Sequence, residues 1–253
     1  MQPYLFRIRH LFAAGAAAAC AACVSPVGTP LPSSASAPAP AVSPGDSWTY
    51  RVRDGFTGIG RGDQSYRVTD ANADRISVAV SGGGRLDETY VYNREWNWLK
   101  HPATNLQSFD YSPAYPATAF PLAPGKRWKA RVTATDPADG RRFPVTIDGV
   151  ALGWERVKVP AGEFEALKIR RVVFFGYWEQ TVRDRSEIIE YEWYAPAVKQ
   201  SVRREAESRY LSYLAGGVRD GFLRVEGGDR DGGGPRFVQD DWLIYELVSY
   251  SVR

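Results

Sequence analysis

Trp154-Glu155-Arg156-Val157-Lys158-Val159-Pro160-Ala161-Gly162-Glu163-Phe164-Glu165-Ala166-Leu167-Lys168-Ile169 is the stretch from which the fold can be read. β-Branched and aromatic residues dominate both flanks, and the apolar spacing of three and four that a helix needs is missing. Proline cannot donate to a ladder and fixes φ, whereas glycine tolerates positive φ. Pro160 and Gly162 therefore mark a reversal between two strands, Trp154 to Val159 and Glu165 to Phe175. Downstream, Glu187 to Tyr194 alternates, with Ile189, Tyr191 and Trp193 on one face and Ile188, Glu190, Glu192 and Tyr194 on the other. The aromatic face is expected to be buried and the carboxylate face wet.

Upstream the chain repeats itself. Pro44-Gly45-Asp46-Ser47-Trp48-Thr49-Tyr50-Arg51-Val52 and Pro124-Gly125-Lys126-Arg127-Trp128-Lys129-Ala130-Arg131-Val132 share Pro, Gly, Trp, Arg and Val in register. After each copy comes a polar turn, a strand (Ser65 to Thr69; Phe143 to Asp148), and a second strand (Arg75 to Val80; Glu155 to Val159). The expectation is an all-β domain over residues 45–253, a curved antiparallel sheet or incomplete barrel built from two meander repeats, about 45–115 and 124–206. Phe237 to Val252 alternates again and supplies a closing strand over 236–252. Val198 to Tyr210 reads as strand as well, with a helix as the alternative over Arg203 to Leu214.

The first 22 residues read as an export signal, with Arg7 and Arg9 before the apolar run Leu11 to Ala19. That run is shorter than the ~20 apolar residues of a bilayer span. The pattern resembles a bacterial lipoprotein signal, which implies a lipid on Cys23, or alternatively on Cys20, and a cell-envelope address. The expected site is the outer membrane facing the periplasm, the alternative being a soluble periplasmic or secreted protein. These two are the only cysteines, so the body has no disulfide. Residues 23–44 hold no charge and no aromatic ring, which predicts a disordered Pro/Ala/Ser tether reaching roughly 60 Å.

Composition excludes several functions. Removing Arg7 and Arg9 from 32 basic residues leaves 30 against 29 acidic, so nothing points to nucleic acid as a partner. With His101 the one histidine after the signal, two-histidine mechanisms and histidine-rich metal sites are out, and its place beside Pro102 suggests a surface loop. There is no Gly-x-Ser-x-Gly elbow, no phosphate-cradling loop and no dinucleotide fingerprint. Asp220, Glu226, Asp229 and Asp231 fall among eight glycines in Gly216 to Pro235, without the ligand spacing of a calcium loop. No cofactor and no metal are expected.

Two features carry candidate function. Tyr90, Tyr92, Trp96 and Trp98 share one parity, so on a continuous strand their rings form a single stripe, either a packed inner face or a ligand-stacking platform. Carboxylate pairs, Glu190 with Glu192 and Asp240 with Asp241, would serve acid–base chemistry only across a cleft.

Val159-Pro160-Ala161-Gly162-Glu163-Phe164, Trp193-Tyr194-Ala195-Pro196, Phe120-Pro121 and Pro124-Gly125-Lys126-Arg127-Trp128 together resemble a family of uncharacterised bacterial exported proteins. The resemblance covers roughly residues 115 to 206. It implies a curved antiparallel sheet or incomplete barrel that cradles lipid or another apolar ligand, and no known activity. This chain has Ala197-Val198-Lys199-Gln200 where that family more usually has a glycine turn. The reading favoured is a non-catalytic envelope lipoprotein that binds an apolar or amphipathic ligand or an envelope partner. The alternative is a glycan-binding module or a carboxylate-based glycan-active enzyme.

Overall fold

In a computed structural model, which describes residues 27–83, 85–103, 106–179, 183–212 and 236–253, the Pro160-Ala161 turn joins two long antiparallel strands, β9 (Arg142–Val159) and β10 (Gly162–Phe175). Gly162 takes φ 134°, a region closed to residues with a side chain. The hairpin continues through β11 (Ser186–Ala195), a 3-10 turn (Pro196–Val198), β12 (Gln200–Ser212) and β13 (Arg236–Ser251), each antiparallel to its predecessor.

The first half is the same kind of meander. β2 (Ser47–Asp54), β3 (Gly60–Ala71), β4 (Ile76–Gly82), β5 (Arg85–Tyr92), β6 (Trp98–Pro102), β7 (Ser108–Tyr115) and β8 (Arg127–Thr135) pair in chain order. β8 then pairs with β9, and β13 returns to pair with β2, from Leu243 opposite Asp54 to Ser251 opposite Ser47. The sheet is therefore a closed barrel of twelve strands, not the curved or incomplete one expected. Closure leaves none of those twelve strands as a sheet edge along its whole length.

Alternation along each strand separates a core from a wet wall. Trp48, Tyr50 and Val52 on β2, Ile76, Val78 and Val80 on β4, and Phe143, Val145 and Ile147 on β9 point inward and are buried. Between such positions stand exposed Arg51, Lys129, Arg131, Arg156 and Lys158. An aromatic lumen inside a charged exterior inverts the pattern of a membrane-spanning barrel, whose apolar band faces lipid.

The two Pro-Gly phrases fold alike. Gly45 (φ 94°) and Gly125 (φ 82°) each occupy a turn in which the next residue's N–H bonds back three positions, Asp46 to Ser43 and Lys126 to Ala123, both at 3.0 Å. Each glycine N–H also reaches a neighbouring strand or its end, at Val68 and Ala151. Beyond the turns the copies diverge. The two strands expected over Phe143 to Asp148 and Glu155 to Val159 are one continuous strand, because residues 149–153 stay paired with β8 or β10 apart from a bulge at Leu152, instead of looping out. Trp128 lies flat against Gly149, where a Cβ would come within 2.1 Å of its ring.

The faces expected for β11 change. On β11 the buried face is that of Ile188 and Glu190, while Ile189 and Tyr191 are half-buried on the outside. The carboxylate was placed in water by its polarity alone, and its partners lie on other strands. Trp193 is buried on the outer face, under Lys168 and Arg203, whose cations sit 4.9 and 5.8 Å from its ring. The strand expected over Val198 to Tyr210 is present as β12, and the helix alternative for Arg203 to Leu214 gives way to strand through Ser212.

The leash is not free over its described part. β1 (Gly28–Leu31) pairs with β9 from Gly28 opposite Val157 to Leu31 opposite Trp154. Ala35 accepts a hydrogen bond from Trp154 Nε1 at 2.9 Å, and Ala37 exchanges two backbone hydrogen bonds with Leu122. Low apolar content argued for disorder, but backbone pairing and small buried groups such as Ala37 and Val42 dock the segment without a large side chain. Cys20, Cys23 and the Gly216 to Pro235 acidic loop lie outside the described residues.

Candidate functional site

Four inward positions on three adjacent strands build a charged layer in the aromatic lumen. Arg171 on β10 lies directly opposite Glu190 on β11, and Glu192 lies directly opposite Arg204 on β12. Arg171 Nε donates to Glu190 Oε2 at 2.8 Å, Arg171 Nη1 pairs with Glu192 at 2.7 Å, and Arg204 Nη2 donates to Glu190 Oε1 at 2.9 Å. Arg171 Nη1 also donates to the Ala117 carbonyl at 2.7 Å, and Ser201 Oγ donates to Glu192. Burial alone would raise the Glu190 pKa. The two guanidiniums outweigh it and hold the carboxyl down at about 2. Glu190 is thus a fixed anion, unsuited to act as a general acid near neutral pH.

Beside this layer the expected aromatic residues meet, though not as a stripe on one strand. β5 ends at Tyr92 and β6 begins at Trp98; between them Asn93 Oδ1 accepts from the Glu95 and Asn97 N–H groups and caps a tight turn. Trp96, within that turn, adopts φ 60°. All four rings point inside and retain only 3–6% of their surface. Trp98 stacks on Tyr115 at 4.1 Å and on His101 at 3.9 Å, with interplanar angles of 8° and 12°. Trp96 packs edge-on against Trp48 and Tyr92, at 5.9 and 4.9 Å.

His101 is accordingly no surface residue. It is 4% exposed and its Nδ1 lies 2.7 Å from the Pro102 carbonyl. Burial, then the charge of Arg204, pushes its pKa well below the usual histidine value, so the ring is neutral and Nδ1 carries the proton.

A cavity of about 70 Å³ lies among these groups, bounded by Trp48, Tyr92, Trp96, Trp98, His101 and Arg204, among others. It can hold about five water-sized spheres, the scale of one small ring. A second, of about 20 Å³, lies between Tyr90, His101, Arg204 and Asp241. Arg204 keeps 19% of its side-chain surface and lines both cavities. The loop after β7 is tied to the turn that carries Trp96: Thr118 Oγ1 donates to the Glu95 carbonyl at 2.5 Å and Thr118 N to Asn97 Oδ1 at 3.0 Å. The site therefore joins strands and turns from both halves of the chain.

Among the described residues four buried side-chain atoms lack a hydrogen-bond partner: Trp96 Nε1, Arg171 Nη2, Arg204 Nε and Asp241 Oδ2. Two of the three donors belong to side chains that line the cavity, Trp96 and Arg204. Also among the described residues, no cluster of three or more His, Cys, Asp or Glu could hold a metal.

The chain matches no protein-family model and no curated protein. Two crystal structures are similar to it. A predicted lipoprotein from Parabacteroides distasonis is 16% identical, with TM-score 0.47, over 85% of this chain and 99% of the other. A predicted exported protein with a YmcC-like fold from Bacteroides fragilis is 14% identical, with TM-score 0.47, over the same shares. Both likenesses are remote and assign no activity.

Sequence reasoning found Tyr90, Tyr92, Trp96 and Trp98, and the structure places the last three on the cavity and Tyr90 on its neighbour. It missed Arg171, Arg204 and His101. The available signal was parity: Arg171 alternates with Val173 and Phe175, and Arg204 with Val202 and Ala206, all inward positions. The Asp240 and Asp241 pair is split, Asp240 bonding Arg183 at 2.9 Å and Asp241 facing Arg61 at 3.3 Å.

Proposed function

We propose that this protein is a non-catalytic cell-envelope lipoprotein whose closed barrel holds a small ring-bearing ligand, apolar or amphipathic, in its lumen. The observation that carries the reading is the cavity walled by Trp48, Tyr92, Trp96 and Trp98, with a charged pair network at its side. Binding sites of this kind are concave, mostly aromatic and furnished with a few polar groups. Burial of the four rings favours it over a glycan platform, which needs rings open to a polymer. The fixed anion at Glu190 argues against carboxylate acid catalysis. Native mass spectrometry of the mature chain purified from the envelope tests the reading. An added mass of one small molecule that leaves on unfolding is the expected result; a bare chain that binds no aromatic ring when titrated would refute it.

The anchor belongs to the same proposal. Lipid on Cys23, in the outer membrane facing the periplasm, would hold the barrel close, since Val24 to Val27 alone separate it from β1. Four extended residues span at most about 14 Å, much less than the reach of a free tether. Cys23→Ala is expected to move the protein from the membrane to the soluble periplasmic fraction. Unchanged membrane association would sink lipidation at that position.

A further inference from the structure

The polar half of the ligand can be read from what the lumen leaves unmet. Trp96 is a bulky residue held at φ 60°, a conformation uncommon outside glycine and concentrated where a site over-determines its backbone. Its ring lines the cavity, is 5% exposed, and carries a buried N–H with no acceptor. Arg204 lines the same cavity and has a buried Nε–H in the same condition. Native interiors seldom leave such donors unmet, so each one in a cavity wall asks for an acceptor. Both N–H groups are covered by neighbouring atoms, so each side chain has to turn for its N–H to meet a ligand in the cavity.

The charge of that acceptor follows from the count around it. Arg171 and Arg204 are matched by Glu190 and Glu192, and His101 is neutral, so the lumen already balances. An anionic ligand would add a buried charge with no free cation among the described residues of the layer to meet it, which is costly in a low-dielectric site.

Resting on the ligand-binding reading above, we propose that the ligand is an uncharged single-ring molecule bearing an oxygen acceptor, with the ring in the cavity lined by Trp48, Tyr92, Trp96 and Trp98. Its oxygen takes the Trp96 indole N–H, with Arg204 Nε–H as second donor. Carboxylates and sulfonates are excluded by the same arrangement.

Three probes of one shape separate these terms: acetophenone, which is uncharged with a carbonyl; ethylbenzene, which lacks the oxygen; and benzoate, which is anionic. Each is titrated into the purified mature chain by calorimetry. Acetophenone is expected to bind at least about tenfold more tightly than benzoate. Trp96→Phe keeps a ring and deletes the donor, so it should weaken acetophenone about fivefold and leave ethylbenzene within about twofold. If circular dichroism shows Trp96→Phe unfolded, Arg204→Lys supplies the contrast, because it keeps the charge and removes Nε–H. Tighter binding of benzoate, or equal effects of the substitution on acetophenone and ethylbenzene, would overturn the proposal while leaving ligand binding intact. Failure of all three probes to bind would take both readings down.

Discussion

Arg171→Met is expected to destabilise the barrel by about 3–5 kcal/mol, because it leaves two buried carboxylates, Glu190 and Glu192, with Arg204 as the remaining guanidinium of the layer. The side chain is 1% exposed and bridges Glu190, Glu192 and the Ala117 carbonyl, so no water replaces it. The double variant Arg171→Met with Glu190→Gln leaves Arg204 and Glu192 as a neutral pair and should recover more than half of the loss. Urea denaturation of the four members of the cycle measures both terms. A single variant within 1 kcal/mol of the parent, or a double variant no better than the single, would mean that the network is not a coupled unit. The same layer sets an acid limit. Glu190 has a folded pKa of about 2 against an ordinary 4.5, so the unfolded chain takes up its proton first. Its contribution is fully present above pH 4.5 and disappears as pH falls toward 2. Arg171→Met should blunt that loss, since it removes one of the two cations responsible.

Trp48→Ala is expected to cost a similar amount, about 3–5 kcal/mol, by cavity creation in the lumen. The ring is 1% exposed, packs edge-on with Trp96, and donates from Nε1 to the Val198 carbonyl at 2.8 Å. Truncation therefore removes apolar burial and also leaves a carbonyl of the 3-10 turn unpaired. Trp128 fills the matching slot of the repeated phrase and donates in the same way, to Pro116 at 2.9 Å, but is only half-buried above Gly149. Its alanine variant should cost under about 2 kcal/mol, in proportion to the smaller area it covers. Equal midpoint shifts for the two variants in thermal denaturation would contradict this difference in depth.

Lys199 caps the 3-10 turn that begins at Pro196 and takes φ 59°, the left-handed region. Its Nζ lies 3.4 Å from Asp46 Oδ2 and donates to the Arg253 carbonyl. Contacts to the start of β2 and the end of β13 thus accompany a backbone conformation that lysine seldom adopts.

Local features could be read from the chain because they are written in neighbouring residues. Pro160 and Gly162 set a hairpin, Pro44-Gly45 and Pro124-Gly125 set two matching turns, and alternation marks β11 and β13. The aromatic character of Tyr90 to Trp98 was equally plain. Closure was not, because it depends on Leu243 to Ser251 finding Ser47 to Asp54 across nearly the whole sequence, and local periodicity carries no register between distant strands. The buried face of β11 was misread for a related reason. Glu190 reads as a wet residue until Arg171 and Arg204 are brought to it from the two flanking strands, and His101 reads as a loop residue until Trp98 stacks upon it. What this sequence determines by itself is therefore the ribbon, its turns and its aromatic inventory. Only tertiary structure decides that the ribbon closes, that charge goes inside with the rings, and that a cavity opens between them, since each requires groups far apart in the chain to meet.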